Sequence, residues 1–273
     1  RKTRAEVRFD SASRLLYSTD ASIYEIEPIG VVVPRVQEDL AATMEVAREF
    51  GVPVLSRGGG TSLAGQTVGR AIVVDCSKYL NHVLEVNVED RSVLVEPGVV
   101  QEQLNHRLKP HGFLFGPDTA TSNRATIGGM IGNNSAGAHS IIYGKTIDHV
   151  LETEVLLANG EQRTLGEMTF ESARARGGLE GRVAEIADSN RLEIDARFPK
   201  ILRRVSGYNL DEFVRKPTFN LSRIIVGSEG TLALMQRARL RIEPLPQYVA
   251  LSVVHFEEII DAIRASEIVL QFS

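Results

Sequence analysis

Apolar residues in the first hundred positions recur with the periods of strands and helices. A short apolar run at 31–33 predicts a strand, and apolar residues at helical spacing in 37–50 predict an amphipathic helix that Gly51 ends. Two further apolar runs, 52–55 and 71–75, predict a pair of strands. This order of strand, helix, strand, loop and strand is typical of an α/β unit.

Alternation of apolar and polar residues predicts two β-hairpins further along the chain. The segments 83–88 and 92–95 flank a charged turn, and the segments 150–158 and 162–165 flank an Asn-Gly turn. Helices are predicted at 1–20, 100–109, 167–200 and 257–270, and strands at 223–227, 232–242 and 249–256.

The polar connection that follows the strand at 52–55 is rich in glycine. Residues 56–66 read Ser-Arg-Gly-Gly-Gly-Thr-Ser-Leu-Ala-Gly-Gln. Because glycine has no Cβ and loses much backbone entropy on folding, such a cluster indicates close approach of backbone N–H groups to an anion. Thr61 and Ser62 add hydroxyl donors, and Arg57 adds positive charge. The alternative is a flexible loop, which does not usually connect two short strands.

A second polar stretch, 116–146, is dominated by glycines, hydroxyls and amides and is predicted to be a long loop. Its isoleucines indicate burial, so a polar ligand is needed to satisfy its backbone. A further glycine turn lies at 227–231. Together these segments predict an elongated anionic ligand, with a diphosphate on backbone N–H groups and an apolar ring system near Ile127, Ile131 and Ile225.

Composition narrows the classes of function. The chain has 273 residues, a net charge of −4 and one cysteine, Cys76. No basic field favours nucleic acid, and a disulfide or an iron–sulfur cluster cannot form within these residues. Neither a bilayer-spanning apolar run nor a signal peptide is visible, so we expect a cytoplasmic protein. The chain begins without methionine and ends inside a helical pattern, so we expect it to be part of a longer protein.

Four common site motifs are rejected. The glycine loop does not fit Gly-x-Gly-x-x-Gly, because position 63 is Leu63 and no helical pattern follows. The tripeptide 144–146 ends like a Walker loop, but His139 stands where the first glycine is required. The histidines have no metal-ligand spacing, and no Gly-x-Ser-x-Gly elbow is present.

Several ordered motifs fit one family pattern. They are 53–62, Gly116-Pro117-Asp118, 126–129, 133–137, Tyr143-Gly144, Ser206-Gly207-Tyr208-Asn209-Leu210 and 227–232. These motifs resemble the FAD-binding domain of the vanillyl-alcohol oxidase/p-cresol methylhydroxylase flavoproteins, and within it most the FAD-linked D-lactate, glycolate and D-2-hydroxyglutarate dehydrogenases. The opening at 17–22 and the stretch 116–146 resemble the large members that carry a C-terminal iron–sulfur module.

The resemblance implies an α+β fold, the PCMH-type FAD-binding fold of two α/β subdomains. The implied division is an N-terminal arm at 1–25, an FAD-binding domain at 26–245 with subdomains at about 26–98 and 99–245, and the truncated start of a C-terminal cap domain at 246–273. An iron–sulfur cluster is implied only for a C-terminal part outside this chain.

The resemblance also implies the cofactor-binding residues. They are Arg57, Gly58, Gly59, Gly60, Thr61, Ser62, Gly65, Gln66, Pro117, Asp118, Thr126, Gly128, Gly129, Asn133, Ser135, Gly137, Tyr143, Gly144, Ile225, Gly227, Glu229 and Gly230. Some relatives attach FAD through a histidine of the glycine loop. Thr61 takes that place here, so the implied FAD is non-covalent.

The implied activity is oxidation of a small D-2-hydroxy acid, such as lactate, glycolate or 2-hydroxyglutarate, by hydride transfer to flavin N5. Alternatives are a sugar-lactone oxidase or cell-wall precursor reductase on the same domain, and a flavin-free binding module. The base is left open, with Arg124, His139, Lys145 and Tyr208 as candidates. The electron acceptor is also open, and a peripheral membrane or electron-transfer partner is among the expectations. The metal site of the relatives lies in the cap, so no metal is expected here.

Overall fold

Two β-sheets form the framework of the fold in the computed structural model, which describes residues 3–205 and 207–272. The strands in the described residues are β1 (Glu6–Arg8), β2 (Gly30–Val33), β3 (Val54–Arg57), β4 (Ile72–Asp75), β5 (Val83–Asn87), β6 (Ser92–Val95), β7 (Phe113–Leu114), β8 (Val150–Leu157), β9 (Gln162–Leu165), β10 (Glu167–Met168), β11 (Phe219–Asn220), β12 (Ala233–Arg241) and β13 (Glu243–Pro244).

Helices lie between and around the sheets. They are α1 (Ser11–Leu16), α2 (Gln37–Glu49), α3 (Gln101–Leu108), α4 (Ile127–Asn133), α5 (Ser140–Tyr143), α6 (Thr146–His149), α7 (Phe170–Arg176), α8 (Gly178–Ser189), α9 (Arg191–Arg197), α10 (Glu212–Arg215), α11 (Ser222–Ile225) and α12 (Ile259–Val269). This mixture of helices with two sheets confirms the predicted α+β class.

The first sheet has the strand order β1-β2-β4-β3. Strands β2, β4 and β3 are parallel, and β1 pairs with β2 in the antiparallel sense. Every residue of β2 and of β4 is buried, as expected for parallel strands covered on both faces. Helix α2 packs on this sheet through Leu40, and Asp39 fixes its start by accepting hydrogen bonds from the backbone N–H groups of Arg35 and Val36.

The second sheet is antiparallel throughout, with the order β5-β6-β12-β8-β9. It contains both predicted hairpins, so these are confirmed. Its core includes Leu104 and Leu108 of α3 and Ile127 of α4, all without exposed area. A separate buried cluster joins the two sheets, because it combines Leu40 and Val74 with Leu156 and Leu234.

Four element predictions were wrong in whole or in part. The apolar run at 223–227 forms the short helix α11 rather than a strand. In a buried apolar run of this length, the spacing of apolar residues does not distinguish a strand from a helix. The loop at 116–146 contains α4, whose N-terminal cap is the Thr126 hydroxyl. The N-terminal helix predicted at 1–20 is confirmed only as α1 over 11–16, because residues 6–8 form β1 and pair with β2.

The fourth wrong prediction is the strand at 249–256, which has no regular structure. Val249 and Leu251 are 85% and 90% exposed, and α12 contains no buried residue. A strand of this composition needs a neighbouring strand, and the described residues supply none. No helix within the described residues is long and apolar enough to cross a lipid bilayer.

Strand β1 is attached to the sheet by a charged cluster around Glu6. Hydrogen bonds from Lys78, Tyr79 and Arg8 lower the pKa of Glu6 to about 2. A carboxylate with a lowered folded-state pKa stabilises the fold above its unfolded pKa of 4.5, and this stabilisation is lost as the pH falls towards 2.

We therefore expect the Glu6→Gln variant to depend less on pH than the parent chain. Urea unfolding at about pH 6 and about pH 3 should show a smaller loss of unfolding free energy for the variant. An equal loss in both proteins would show that Glu6 titrates normally.

Candidate functional site

A cavity of about 450 Å³ lies where the two sheets meet. Three polar segments line it, within 56–67, 119–136 and 225–235. Its apolar lining comes from Leu40 and Val74 beside the first sheet and from residues of β12 in the second. The cavity is therefore polar on the side of the glycine loop and apolar between the sheets, which suits a ligand that has a charged part and a ring system.

The glycine loop, which lines this cavity, contains backbone donors without partners. The backbone N–H groups of Gly59, Gly60, Thr61 and Ser62 make no hydrogen bond to any other described residue. Consecutive backbone N–H groups without partners form a concavity that binds anions. These residues therefore fit the diphosphate of a dinucleotide such as FAD.

Packing within the protein also requires glycine at these positions of the loop. A Cβ built on Gly58 would overlap the Thr126 hydroxyl, and one on Gly59 would overlap the Arg124 carbonyl oxygen. Gly60 has a φ of +63°, and a Cβ there would lie 2.7 Å from the Arg57 guanidinium. The loop thus packs against the segment 124–126, so the approach of an anion is not the only cause of its composition.

The N-terminus of α4 is not free to bind the same anion. The N–H groups of Ile127 and Gly128 donate to the carbonyls of Val99 and Pro97, each at 2.8 Å. The Gly129 N–H donates to the Thr126 hydroxyl at 3.3 Å. Helix α4 therefore contributes shape to the cavity, and the loop contributes the donors.

The apolar part of the cavity includes the sulfur-bearing residue Cys76. Burial, helped by the nearby charges of Asp75 and Glu96, raises the pKa of this thiol to about 12. Cys76 is therefore a neutral, weakly polar wall residue at physiological pH rather than a thiolate.

A hydrogen bond connects the glycine loop to the turn at 227–231. Gln66 Nε2 donates to Glu229 Oε1 at 3.2 Å. Glu229 has a φ of +52°, and its N–H donates to the Gly132 carbonyl at 3.0 Å. Because Gln66 and Glu229 both line the cavity, this bond joins two of its walls.

Most of the predicted cofactor-binding residues line the cavity. These are Arg57, Gly58, Gly59, Gly60, Thr61, Ser62, Gln66, Thr126, Gly128, Gly129, Asn133, Ser135, Ile225, Glu229 and Gly230. The others are not among its lining residues, namely Gly65, Pro117, Asp118, Gly137, Tyr143, Gly144 and Gly227. Ser206 of the resembling motif at 206–210 lies outside the described residues.

Sequence reasoning missed part of the lining. The missed polar residues are Ser56, Thr67, Thr119, Thr121 and Ser228, and the missed apolar residues include Leu40, Val74, Cys76, Leu234 and Met235. The hydroxyls at 119 and 121 belong to the polar stretch already noted, so this signal was available. The apolar residues gave no such signal, because residues of a cavity wall and residues of a packed core show the same sequence pattern.

The four candidate bases lie outside the cavity lining, and three have partners elsewhere. His139 Nδ1 is 2.9 Å from Asp118 Oδ2, and Lys145 Nζ donates to the Leu202 carbonyl at 3.2 Å. Tyr208 Oη is 2.9 Å from the Thr231 hydroxyl. Arg124 contacts the loop through its backbone. No group of three His, Cys, Asp or Glu residues within the described residues could hold a metal ion.

The chain is similar to one known protein family and to several curated proteins. The family described as FAD binding domain matches residues 28–166, just over half of the chain. D-2-hydroxyglutarate dehydrogenase of Pseudomonas putida is 40% identical over 275 residues, covering 96% of this chain and 27% of that protein. Glycolate oxidase subunit GlcD of Bacillus subtilis is 30% identical, covering 87% of this chain and 42% of that protein. The chain thus spans well under half the length of these relatives.

Solved structures give a more distant likeness. Alkyldihydroxyacetonephosphate synthase superposes with a TM-score of 0.63 at 21% identity, over 89% of this chain and 38% of that one. This similarity supports the fold alone.

Proposed function

Since the chain belongs to the FAD binding domain family, we propose that its residues 26–245 hold one FAD without a covalent bond. The observation that carries the proposal is the row of four unpartnered N–H groups, from Gly59 to Ser62, in a loop that lines a cavity between two sheets. Thr61 and Ser62 add hydroxyl donors to the same row. The residue at position 61 cannot form a histidyl link, and Cys76 is held as a thiol, which supports non-covalent binding.

Two parts of the cavity would bind different portions of FAD. The loop from Gly59 to Ser62 would hold the diphosphate, and the apolar lining around Leu40 and Leu234 would contact a ring system. The Gln66–Glu229 hydrogen bond would keep two walls at a fixed separation while the ligand is bound.

We further propose that this domain serves the oxidation of a D-2-hydroxy acid, the reaction class named for its relatives. Bound FAD would supply the hydride acceptor for the substrate Cα–H. The chain's own contribution would be to bind the cofactor, exclude water from its apolar part and orient it. Among the alternatives, a lactone oxidase or cell-wall reductase would bind FAD equally and differ in substrate, whereas a binding module would bind none.

The remaining predictions belong to this proposal. They are an arm at 1–25, subdomains divided at about 98, the beginning of a cap at 246–273, an iron–sulfur cluster only beyond this chain, a cytoplasmic location and no nucleic-acid partner. The exposed apolar residues of 248–270 support the cap, because an adjoining domain would cover them. The electron acceptor stays open.

FAD binding can be tested with riboflavin as a comparison. We expect the chain to bind FAD with a change in flavin fluorescence, and to bind riboflavin at least about 100-fold more weakly because riboflavin lacks the diphosphate and the adenosine attached to it. Acid precipitation should release the flavin into the supernatant. Equal affinity for both flavins would refute the diphosphate role of the loop, and yellow precipitate would refute non-covalent binding.

A further inference from the structure

The side chain of Arg57 does not extend freely into the cavity. Its Nη2 donates to the Thr19 carbonyl at 2.7 Å, and its Nη1 donates to the carbonyls of Thr67 and Tyr17 at 3.2 and 3.4 Å. The guanidinium also lies 5.2 Å from the centre of the Tyr17 ring. Arg57 thus connects the N-terminal segment to the two ends of the glycine loop.

Residues 17–24, which we call the strap, make further contacts with this loop. The Ala21 N–H donates to the Gly60 carbonyl at 3.0 Å, and Asp20 Oδ2 accepts from the Thr67 hydroxyl at 2.9 Å. The Tyr24 ring lies against Gly65, where a Cβ would be only 2.6 Å from it.

The strap is itself attached to the first sheet. The Tyr17 hydroxyl donates to Asp75 Oδ2 at 2.7 Å, and Asp75 is the residue of β4 that pairs with Arg57. The strap therefore has one fixed end on the sheet, and it contacts the loop at Gly60, Gly65 and Thr67.

The fixed carbonyl of Gly60 determines the direction of the donors beside it. A peptide unit is planar, so a hydrogen bond that holds the Gly60 carbonyl also orients the Thr61 N–H of the same peptide. Gly60 has no side chain, and its open side is occupied by the Arg57 guanidinium. Strap, guanidinium and loop therefore fix one another before any ligand enters.

We propose that Arg57 is a positioning residue, which holds the strap against the glycine loop so that the loop N–H groups are oriented for the diphosphate. This proposal rests on the proposed FAD binding. It assigns the strap to the cofactor site, although strap residues do not line the cavity. It differs from a role in which Arg57 attracts the diphosphate simply by its charge.

The two roles predict opposite results for two sets of substitutions. Lysine keeps the charge of Arg57, but one ammonium group cannot reproduce the fork that contacts three carbonyls. Removing the Asp20 carboxylate takes a negative charge away from an anion site, so a role based on charge predicts tighter binding of FAD. The positioning role predicts weaker binding in both cases.

The experiment measures FAD affinity and amide hydrogen exchange for the parent chain, Arg57→Lys, Arg57→Gln, Asp20→Ala and Glu25→Ala. Glu25 is the matched control, because it is an exposed carboxylate next to the strap whose side chain makes no hydrogen bond or ion pair within the described residues. Exchange is measured without FAD in a peptide that includes Ala21, and the amides of β2 and β4 report whether each variant is folded.

We expect Arg57→Lys, Arg57→Gln and Asp20→Ala each to weaken FAD binding about tenfold and to speed exchange in the strap, since each loses hydrogen bonds to a charged group. Glu25→Ala should stay close to the parent chain in both measurements. Retained affinity in Arg57→Lys or tighter binding in Asp20→Ala would overturn the positioning role. If the parent chain binds no FAD, the proposed function fails as well. Separately, unchanged amide hydrogen exchange in the strap of the Arg57 and Asp20 variants would refute the connection between Arg57, the strap and the loop.

Discussion

Replacing Gly59 with valine is expected to weaken FAD binding about 100-fold while both sheets stay folded, since overpacking at one position typically costs about 1–3 kcal/mol. A Cβ at this position would overlap the Arg124 carbonyl oxygen, so the loop or the segment 124–126 must move. Either movement displaces N–H groups that line the cavity. Fluorescence titration with FAD measures the effect, and circular dichroism monitors the fold.

Gly69 provides the control for this substitution. It lies in the same connection between β3 and β4, but a Cβ there would meet only the end of the Leu55 side chain, at 3.6 Å. We expect Gly69→Val to bind FAD like the parent chain. Equal losses in both variants would mean that the connection responds to any added bulk, and an unaffected Gly59→Val would remove the loop from the site.

The second large effect concerns turnover. We expect the 273-residue chain to bind FAD but to reduce it with D-lactate or D-2-hydroxyglutarate at least about 10⁵-fold more slowly than an enzyme that orients its substrate, because loss of orientation can cost about 7–11 kcal/mol. None of the four candidate bases lines the cavity, and His139, Lys145 and Tyr208 each have another partner. Anaerobic flavin absorbance after mixing with each acid measures the rate.

Dithionite serves as the control in this experiment, because it should bleach the flavin bound to this chain without any oriented substrate. Fast bleaching by a D-2-hydroxy acid, but not by its L-enantiomer, would contradict the expectation and place a base within this chain. His139→Gln and Asp118→Asn would then be compared first, because His139 Nδ1 and Asp118 Oδ2 form a 2.9 Å pair.

The parts of the fold that depend on local period were predictable from the sequence. Helix α2 and the two hairpins have strong periodicity, and they occur where it predicts them. The run at 223–227 has no period, so its helix depends on tertiary contacts such as the hydrogen bond from the Thr153 hydroxyl of β8 to the Ser222 hydroxyl, at 3.2 Å. The segment 249–256 has the composition of a strand, yet composition cannot supply the neighbour with which a strand must pair.

The candidate site was predictable only in part for a similar reason. Glycine clusters and hydroxyls mark a loop that approaches an anion, so the residues 57–62 were found from the sequence. The role of the strap was not, because the sequence marks Arg57 only as a positive charge of the loop and Asp20 as an ordinary surface charge. Only the folded chain brings Thr19 and Ala21 next to a loop about forty residues away.

Alkylation of Cys76 could report whether the cavity is occupied by the cofactor. It is the single cysteine of the chain, and it belongs to the cavity wall, so we expect a covalent label on its sulfur to compete for the space proposed for the cofactor. Burial raises the pKa of this thiol, so its alkylation is expected to be slow at neutral pH and somewhat faster in mildly alkaline buffer. Comparing the alkylation rates with and without FAD would then report cofactor binding. The comparison uses the unmutated chain and needs no measurement of flavin colour.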